Sequence, residues 1–278
     1  MFVLDSITHR LKRGCQTTAY PGGPAPALPD RHGGALRVEP EKCAEGCAEC
    51  IPVCPTQAIV RPPGKTAFLD LGRCIFCAAC VEACPHGAIG QTGDHRLAAR
   101  SREDLVLGAK GSEEVRLARA LDEKLCRLFG RSLRLRQVSA GGCSACEADI
   151  NVLGTIGWDL GRFGIQFVAS PRHADGLVVT GPVSRNMEAA LRKTYDAMPE
   201  PKIVIAVGAC AIAGGPFVDS PEVRNGAASV VPVDLFIPGC PPHPITILDG
   251  LLRLLGRLDE KAAGRPAAGP GALAGGLR

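Results

Sequence analysis

Aromatic side chains are scarce in this chain: phenylalanine, tyrosine and tryptophan make up 4% of its 278 residues, with one tryptophan and two tyrosines. A platform that stacks nucleobases is therefore not expected. No lysine or arginine block is dense enough to follow a phosphate backbone, and the formal net charge is only +4, so nucleic acid is not an expected partner. Long apolar runs are missing as well. The longest uncharged apolar stretch, residues 203–218, is broken by Gly208, Gly214, Gly215 and Pro216 and is short for a membrane span. The opening MFVLDSITHRLKRG has no sustained apolar region and no twin-arginine pair, so it does not read as an export signal. A cytoplasmic protein is expected, touching a membrane only through partners. That compartment keeps thiols reduced, which argues against a disulfide framework.

Cysteine, by contrast, is abundant. There are fourteen, and clustered cysteines in a reducing compartment read as metal ligands or redox groups. The rest of the composition, 46% hydrophobic and 22% charged, is ordinary for a folded protein with one large or two modest cores.

The pattern along the chain divides it into five parts. Residues 1–34 read as an irregular strap, rich in proline and glycine from Tyr20 to Gly34. Residues 35–93 hold eight cysteines and an internal repeat, CPTQAIV at 54–60 echoed by CPHGAIG at 84–90. Residues 94–130 read as a helical connector. There Ser112 is placed to cap a helix whose stripe is Leu117, Leu121, Leu125 and Leu128, a core-facing pattern closed by Gly130. Residues 131–258 alternate strand-like and helix-like segments, which predicts an α/β fold with a largely parallel sheet. The expected strands are 133–140, 167–170, 176–181, 202–209 and 233–237. The expected helices are 146–157, 184–198 and 245–258. Residues 259–278, rich in Ala, Gly and Pro, read as a disordered tail.

Cys74, Cys77, Cys80 and Cys84 have the spacing C-x2-C-x2-C-x3-C with Pro85 behind, which is the bacterial ferredoxin run. Three thiolates within seven residues can hold three corners of one small cluster, and the fourth reaches a neighbouring cluster. Cys43, Cys47, Cys50 and Cys54, followed by Pro55, form the partner run. Crossed ligation then assigns Cys43, Cys47, Cys50 and Cys84 to one [4Fe–4S] cluster and Cys74, Cys77, Cys80 and Cys54 to another. The first run is one residue longer between Cys43 and Cys47, where Gly46 can let the loop close. Structural zinc is the rival reading, but zinc draws its thiolates in separated pairs, and two interlocked runs of four fit that poorly.

Four further cysteines lie in the α/β part. Cys143 and Cys146 follow a strand and open a helix, while Cys210 and Cys240 each end an apolar run. All four sit at C-terminal ends of predicted strands, where an open α/β sheet binds its ligands. Neighbouring glycines and a helix N-terminus favour a negatively charged group there, such as a third cluster.

The segments GGCSACEADI, SPRHADGLVVTG, VGACAIAGG and VPVDLFIPGCPP resemble the small subunit of membrane-bound, complex-I-related [NiFe] hydrogenases of the formate hydrogenlyase type. The same superfamily contains the 20 kDa subunit of respiratory complex I. TTAYP, LGRCIFCAAC and LAARSREDL in the N-terminal half resemble a two-cluster ferredoxin subunit of the same complexes. The resemblance implies a natural fusion: a two-[4Fe–4S] ferredoxin domain (α+β) followed by a flavodoxin-like domain. It further implies that Cys143, Cys146, Cys210 and Cys240 hold the cluster proximal to a [NiFe] centre on a separate large subunit. The expected function is an electron relay in such a complex, peripheral on the inner face of the cytoplasmic membrane among other iron–sulfur and membrane subunits. No activity is expected of the chain alone. Two alternatives stand beside this: a complex-I-like quinone module without nickel, and a zinc-stabilised interaction protein.

Among other residues, Glu147 beside Cys146 is a candidate proton route, or simply an acid favoured at a helix N-terminus. Arg172 and His173 can tune a cluster's field, dock a partner or cap a loop. His86 and His243, near ligand cysteines, read as surface or capping groups. Cys15 and Cys126 are left over, Cys126 as a small hydrophobe.

Overall fold

The computed structural model describes residues 2–29, 31–61, 68–108, 114–129 and 132–258. The chain begins with helix α1 (Phe2–Arg13), where the sequence reading expects irregular backbone. The spacing of Leu4, Ile7 and Leu11 is the signal for it, and all three side chains are exposed. Beyond it the described residues of the strap to 34 form turns and coil, as its prolines and glycines favour.

The repeat in residues 35–93 becomes paired short strands. β1 (Leu36–Val38) runs antiparallel to β4 (Ile89–Gln91), with Val38 opposite Ile89. β2 (Ile59–Val60) and β3 (Phe68–Asp70) form the matching ribbon, extended by β5 (Val106–Leu107). A one-turn helix α2 (Ala79–Glu82) carries Cys80 and ends shortly before Cys84.

The connector is not the helix its leucine stripe suggests. Among its described residues α3 (Glu123–Phe129) is the one α-helix; Ser112 and Gly130 lie outside the described residues. Residues 114–122 form neither helix nor strand, with the Ala118 N–H bonded to the Ala98 carbonyl and the Leu121 N–H to the Leu254 carbonyl. Those long-range bonds override local helix propensity. Leu121 is buried, but Leu128 is 53% exposed and does not face the core.

The C-terminal half is built on β6 (Leu133–Ser139), β7 (Ile165–Phe167), β8 (Gly176–Thr180), β9 (Ile203–Val207) and β10 (Leu235–Ile237). All pairs are parallel, in the order β10-β9-β8-β6-β7. Counted from β6, this is the 2-1-3-4-5 order of flavodoxin-like sheets, whose topology reverses between β6 and β8. β8 and β9 are buried at every residue, as strands covered on both faces must be. Helices α4 (Ala145–Val152), α5 (Arg185–Asp196), α6 (Ala209–Ala213) and α7 (Pro244–Leu254) lie in the crossovers and behind the last strand. In this half the predicted helices and four of the five predicted strands occur, most of them shorter than expected; the strand expected at 167–170 lies instead at Ile165–Phe167 and overlaps it only at Phe167.

α7 is buried along its whole length. Its two charges, Asp249 and Arg253, satisfy each other at 2.7 Å, and the Tyr20 hydroxyl donates to Asp249 at 2.7 Å. Arg162 donates to the carbonyls of Thr18 and Tyr20, so the strap is pinned to the α/β half at both positions. The two halves share one apolar core, in which Leu36, Ile59 and Leu69 cluster with Val138, Leu177 and Val204. Ala99 exchanges both backbone hydrogen bonds with Phe236 of β10.

Candidate functional site

All fourteen cysteines are free thiols. In the N-terminal half they gather across the two runs. Cys43, Cys47 and Cys50 share an apolar cavity with Cys84, walled by Val38, Ala88 and Ile89. Cys74, Cys77 and Cys80 share a second one with Cys54, walled by Leu36, Ile59 and Leu69. The repeat carries the same bonds to sulfur: the Ala58 N–H donates to Cys54 Sγ and the Ala88 N–H to Cys84 Sγ, each at 3.2 Å. The Phe76 N–H donates to Cys74 Sγ at 3.3 Å. Phe76, just before Cys77, has φ +57°; Gly46, just before Cys47, has φ +81°. The extra residue in the first run is thus absorbed by a glycine at the position where the second run also turns left-handed.

In the C-terminal half, Cys143 and Cys146 flank the N-terminus of α4 after β6, Cys210 opens α6 after β9, and Cys240 lies beyond β10. The four are close enough for their charges to interact. Close approach is possible because Gly208 lacks a side chain: with φ +91°, a Cβ there would stand 2.5 Å from Cys146 Sγ.

Burial governs the thiols. It pushes Cys74 and Cys146 up to about 12 and Cys80 and Cys210 up to about 11, with neighbouring cysteines, and Glu147 in the C-terminal set, adding to the effect. Cys84 goes the other way: burial opposes ionisation, but N–H groups of Ile89, Ala88, His86 and Gly87 outweigh it and lower its pKa. Protonated, buried thiols converging without charge compensation are poised to release protons to a cationic core. The two N-terminal donor sets therefore fit iron–sulfur clusters: sulfur only, apolar walls and N–H groups aimed at sulfur. Among the described residues no three His, Cys, Asp or Glu side chains are drawn tightly enough together to hold a single ion. The sulfurs of the two N-terminal sets instead ring cavities.

Glu147 accepts from the Thr180 hydroxyl at 2.6 Å, at the reversal point of the sheet. Burial raises its pKa, but hydrogen bonds from Ser139 and Thr180 prevail and hold it below the usual carboxylate range. His86 lines the first cavity. His243 caps α7, its Nδ1 accepting from the Ile245 N–H. Arg172 and His173 form a short 3-10 turn after β7. Cys15 is exposed and Cys126 half-buried, away from the cavities. Sequence reasoning did not single out His32 and His95, which lie in loops without a motif; the fold brings His32 to the cavity that Cys240 lines and His95 within electrostatic reach of His243.

A family model described as NADH ubiquinone oxidoreductase, 20 Kd subunit matches residues 143–254, the part that carries the third cysteine set. Over 153 residues the chain is 41% identical to a probable membrane-bound hydrogenase subunit, mbhJ, of Pyrococcus furiosus, covering 55% of this chain and 91% of that one. The chain belongs to the 20 kDa complex I subunit family. Formate hydrogenlyase subunit 7 of Escherichia coli is 38% identical, with 60% of this chain and 68% of that relative covered. An NADH-quinone oxidoreductase subunit of Clostridium beijerinckii is 48% identical over 41% of this chain and 68% of its own. Ahead of the family region, a 4Fe-4S dicluster domain matches residues 42–89. Among solved structures, a chain of the membrane-bound sulfane sulfur reductase, an archaeal respiratory membrane complex, is 31% identical over 49% of this chain and 75% of that one, with a TM-score of 0.43.

Proposed function

We propose that the chain is an electron-transfer subunit of a membrane-associated, hydrogenase-type complex and carries three [4Fe–4S] clusters on twelve cysteines. The observation that carries this is the pairing of cysteines in cavities: Cys84 with the first run and Cys54 with the second, as crossed ligation requires. When bound, such clusters supply one-electron transfer, and the protein supplies position and electrostatics. The apolar walls keep water from the sulfurs, which is one of the levers on cluster potential.

The residues also set an order. Cys50 lies within electrostatic reach of Cys80, so the first two sets are neighbours. Ile75 and Phe76 share a cavity wall with Pro238, Cys240 and Pro242, so the second set faces the third. Cys143 and Cys240 are exposed, and a partner must cover them. A [NiFe]-bearing large subunit is the proposed partner, alongside other iron–sulfur and membrane subunits. Glu147 is the carboxylate through which this reading would route a proton. No helix among the described residues is long and apolar enough to cross a membrane. The proposed location is peripheral, on the inner face of the cytoplasmic membrane.

The 48% identity to a quinone oxidoreductase subunit supports a second reading, a complex-I-like module without nickel. The two-residue gap between Cys143 and Cys146, by its resemblance to hydrogenase small subunits, favours the hydrogenase side. The first test is iron, sulfide, zinc and nickel content with EPR of the anaerobically purified, reduced protein. About twelve irons and three cubane signals support the relay. Stoichiometric zinc with little iron overturns it. Nickel ligands in the co-purifying large subunit separate the two redox readings.

A further inference from the structure

The segment LAARSREDL (97–105) has no cysteine, but it carries Arg100, Arg102, Glu103 and Asp104. In the fold it runs between the two halves. Ala99 exchanges backbone bonds with Phe236 of β10. Leu105, in the 3-10 turn Glu103–Leu105, accepts from the Leu71 N–H at 2.9 Å. One end of the segment is therefore tied to the parallel sheet and the other to the loop that leads into Cys74.

That loop is organised by Asp70, at the end of β3. Its carbonyl accepts from the N–H groups of Arg73 and Cys74, each at 3.1 Å, and its Oδ1 accepts from the Gly72 N–H at 2.8 Å. Arg102 grips the same carboxylate with both arms of its guanidinium: Nη1 donates to Oδ1 at 2.9 Å and Nη2 to Oδ2 at 2.6 Å. Such a fork fixes orientation as well as distance, which a point charge does not. Arg73 also approaches Asp70, but only to 3.9 Å and from a more exposed position.

Gly72 is where this loop meets the C-terminal half. A Cβ there would collide with Arg102 Nη1 and stand 2.9 Å from Ile212 Cγ2. Ile212 is buried on α6, two residues after Cys210. The Cys74 loop, the Arg102 guanidinium and the helix of Cys210 thus meet at one point, with no room for a methyl group between them.

We propose that Arg102 is a positioning residue for electron transfer: its fork on Asp70 holds the Cys74 loop against α6 and so fixes the spacing between the iron–sulfur centres of the second and third sets. The inference rests on the three-cluster reading above. The step it serves moves one electron and nothing else, oxidising one of these centres and reducing the other. Tunnelling weakens exponentially with distance, so a loosened contact here slows that step without removing either centre. Redox groups, like other functional sites, depend on the shell that holds them.

The test uses the full chain with its clusters and any co-purifying subunits, purified anaerobically and chemically reduced. EPR reads the spin–spin splitting between neighbouring centres, and iron content reads whether each centre is present. Arg102→Gln keeps a polar side chain but loses the fork. Gly72→Ala needs no left-handed backbone and presses on the same contact from the loop side. Both should keep about twelve irons. Both should lose the sharp splitting between the second and third centres, while that between the first and second stays as in the wild type. Transfer from the second centre to the third, followed after rapid reduction, should slow in both. Arg116→Gln is the control: its pair with Asp104 lies in the neighbouring connector at 3.4 Å with the arginine 71% exposed, and its loss should change neither splitting. If Arg102→Gln sheds the second centre's iron, Gly72→Ala decides, since it leaves both members of the ion pair in the chain. A wild-type second-to-third splitting in the deciding variant at full iron content overturns the inference. An equal change in both splittings, or loss of the second centre's iron from both variants, overturns it too. A wild type without three EPR signals overturns the cluster reading itself.

Discussion

Cysteines are gathered by opposite means in the two halves of the molecule. In the N-terminal half, ligand candidates come from two contiguous runs on loops, and the strands that support them are two or three residues long. In the C-terminal half, the four come from positions as far apart as Cys143 and Cys240, and nothing but the parallel sheet brings them together. A contiguous run carries its geometry in local spacing. A dispersed set borrows its geometry from the fold, so it should be more sensitive to changes in packing.

The largest effect expected is loss of a whole centre. Cys146→Ala should remove about four of about twelve irons and one EPR signal, leaving the N-terminal pair intact. Cys84→Ala should erase the centre of the first run although Cys84 belongs to the second; loss of the second run's centre instead would break the crossed assignment. Next comes the packing under the dispersed set. Asp249→Ala leaves Arg253 buried and unpaired and should cost about 3–5 kcal/mol in chemical denaturation, against about 1 kcal/mol for Tyr20→Phe. The glycines give the direct contrast. Gly208→Ala should cost roughly 1–3 kcal/mol and also reduce third-centre iron, because its Cβ would press on Cys146 Sγ. Gly46→Ala meets nothing within 4 Å, so it should cost only the left-handed backbone, about 1–2 kcal/mol, with iron retained.

The smallest effect expected is on stability against pH. His32 and His95 bind protons more weakly folded than unfolded. The unfolded chain therefore takes up more protons once pH falls below about 6.5, and stability present above that value should decline as pH drops through the folded pKa values. Denaturation midpoints that hold steady or rise with acid would show that the cavity does not oppose protonation.

Much of this was legible in the sequence, for reasons that differ by element. β8 and β9 were readable because strands covered on both faces are uninterrupted apolar runs. The paired cysteine runs were readable because their spacing is itself the geometry. The connector misled: Leu117, Leu121, Leu125 and Leu128 keep helical spacing, but bonds to Ala98 and Leu254 hold part of that segment out of a helix. α1 was passed over although Leu4, Ile7 and Leu11 recur at helical spacing, because no following element gives them a partner. His32 and His95 belong to no motif: His32, at the end of the strap, reaches the cavity of the Cys240 loop, and His95, in the connector, meets Tyr20 edge-on.

The exchange of backbone bonds between Ala99 and Phe236 also bears on solubility. β10 is the last strand of its sheet, and a bare edge of that kind is a template for another chain's backbone. The connector shields part of that edge. Dividing the polypeptide there would therefore separate the two halves and, in the same cut, leave the C-terminal piece with an open edge prone to self-association.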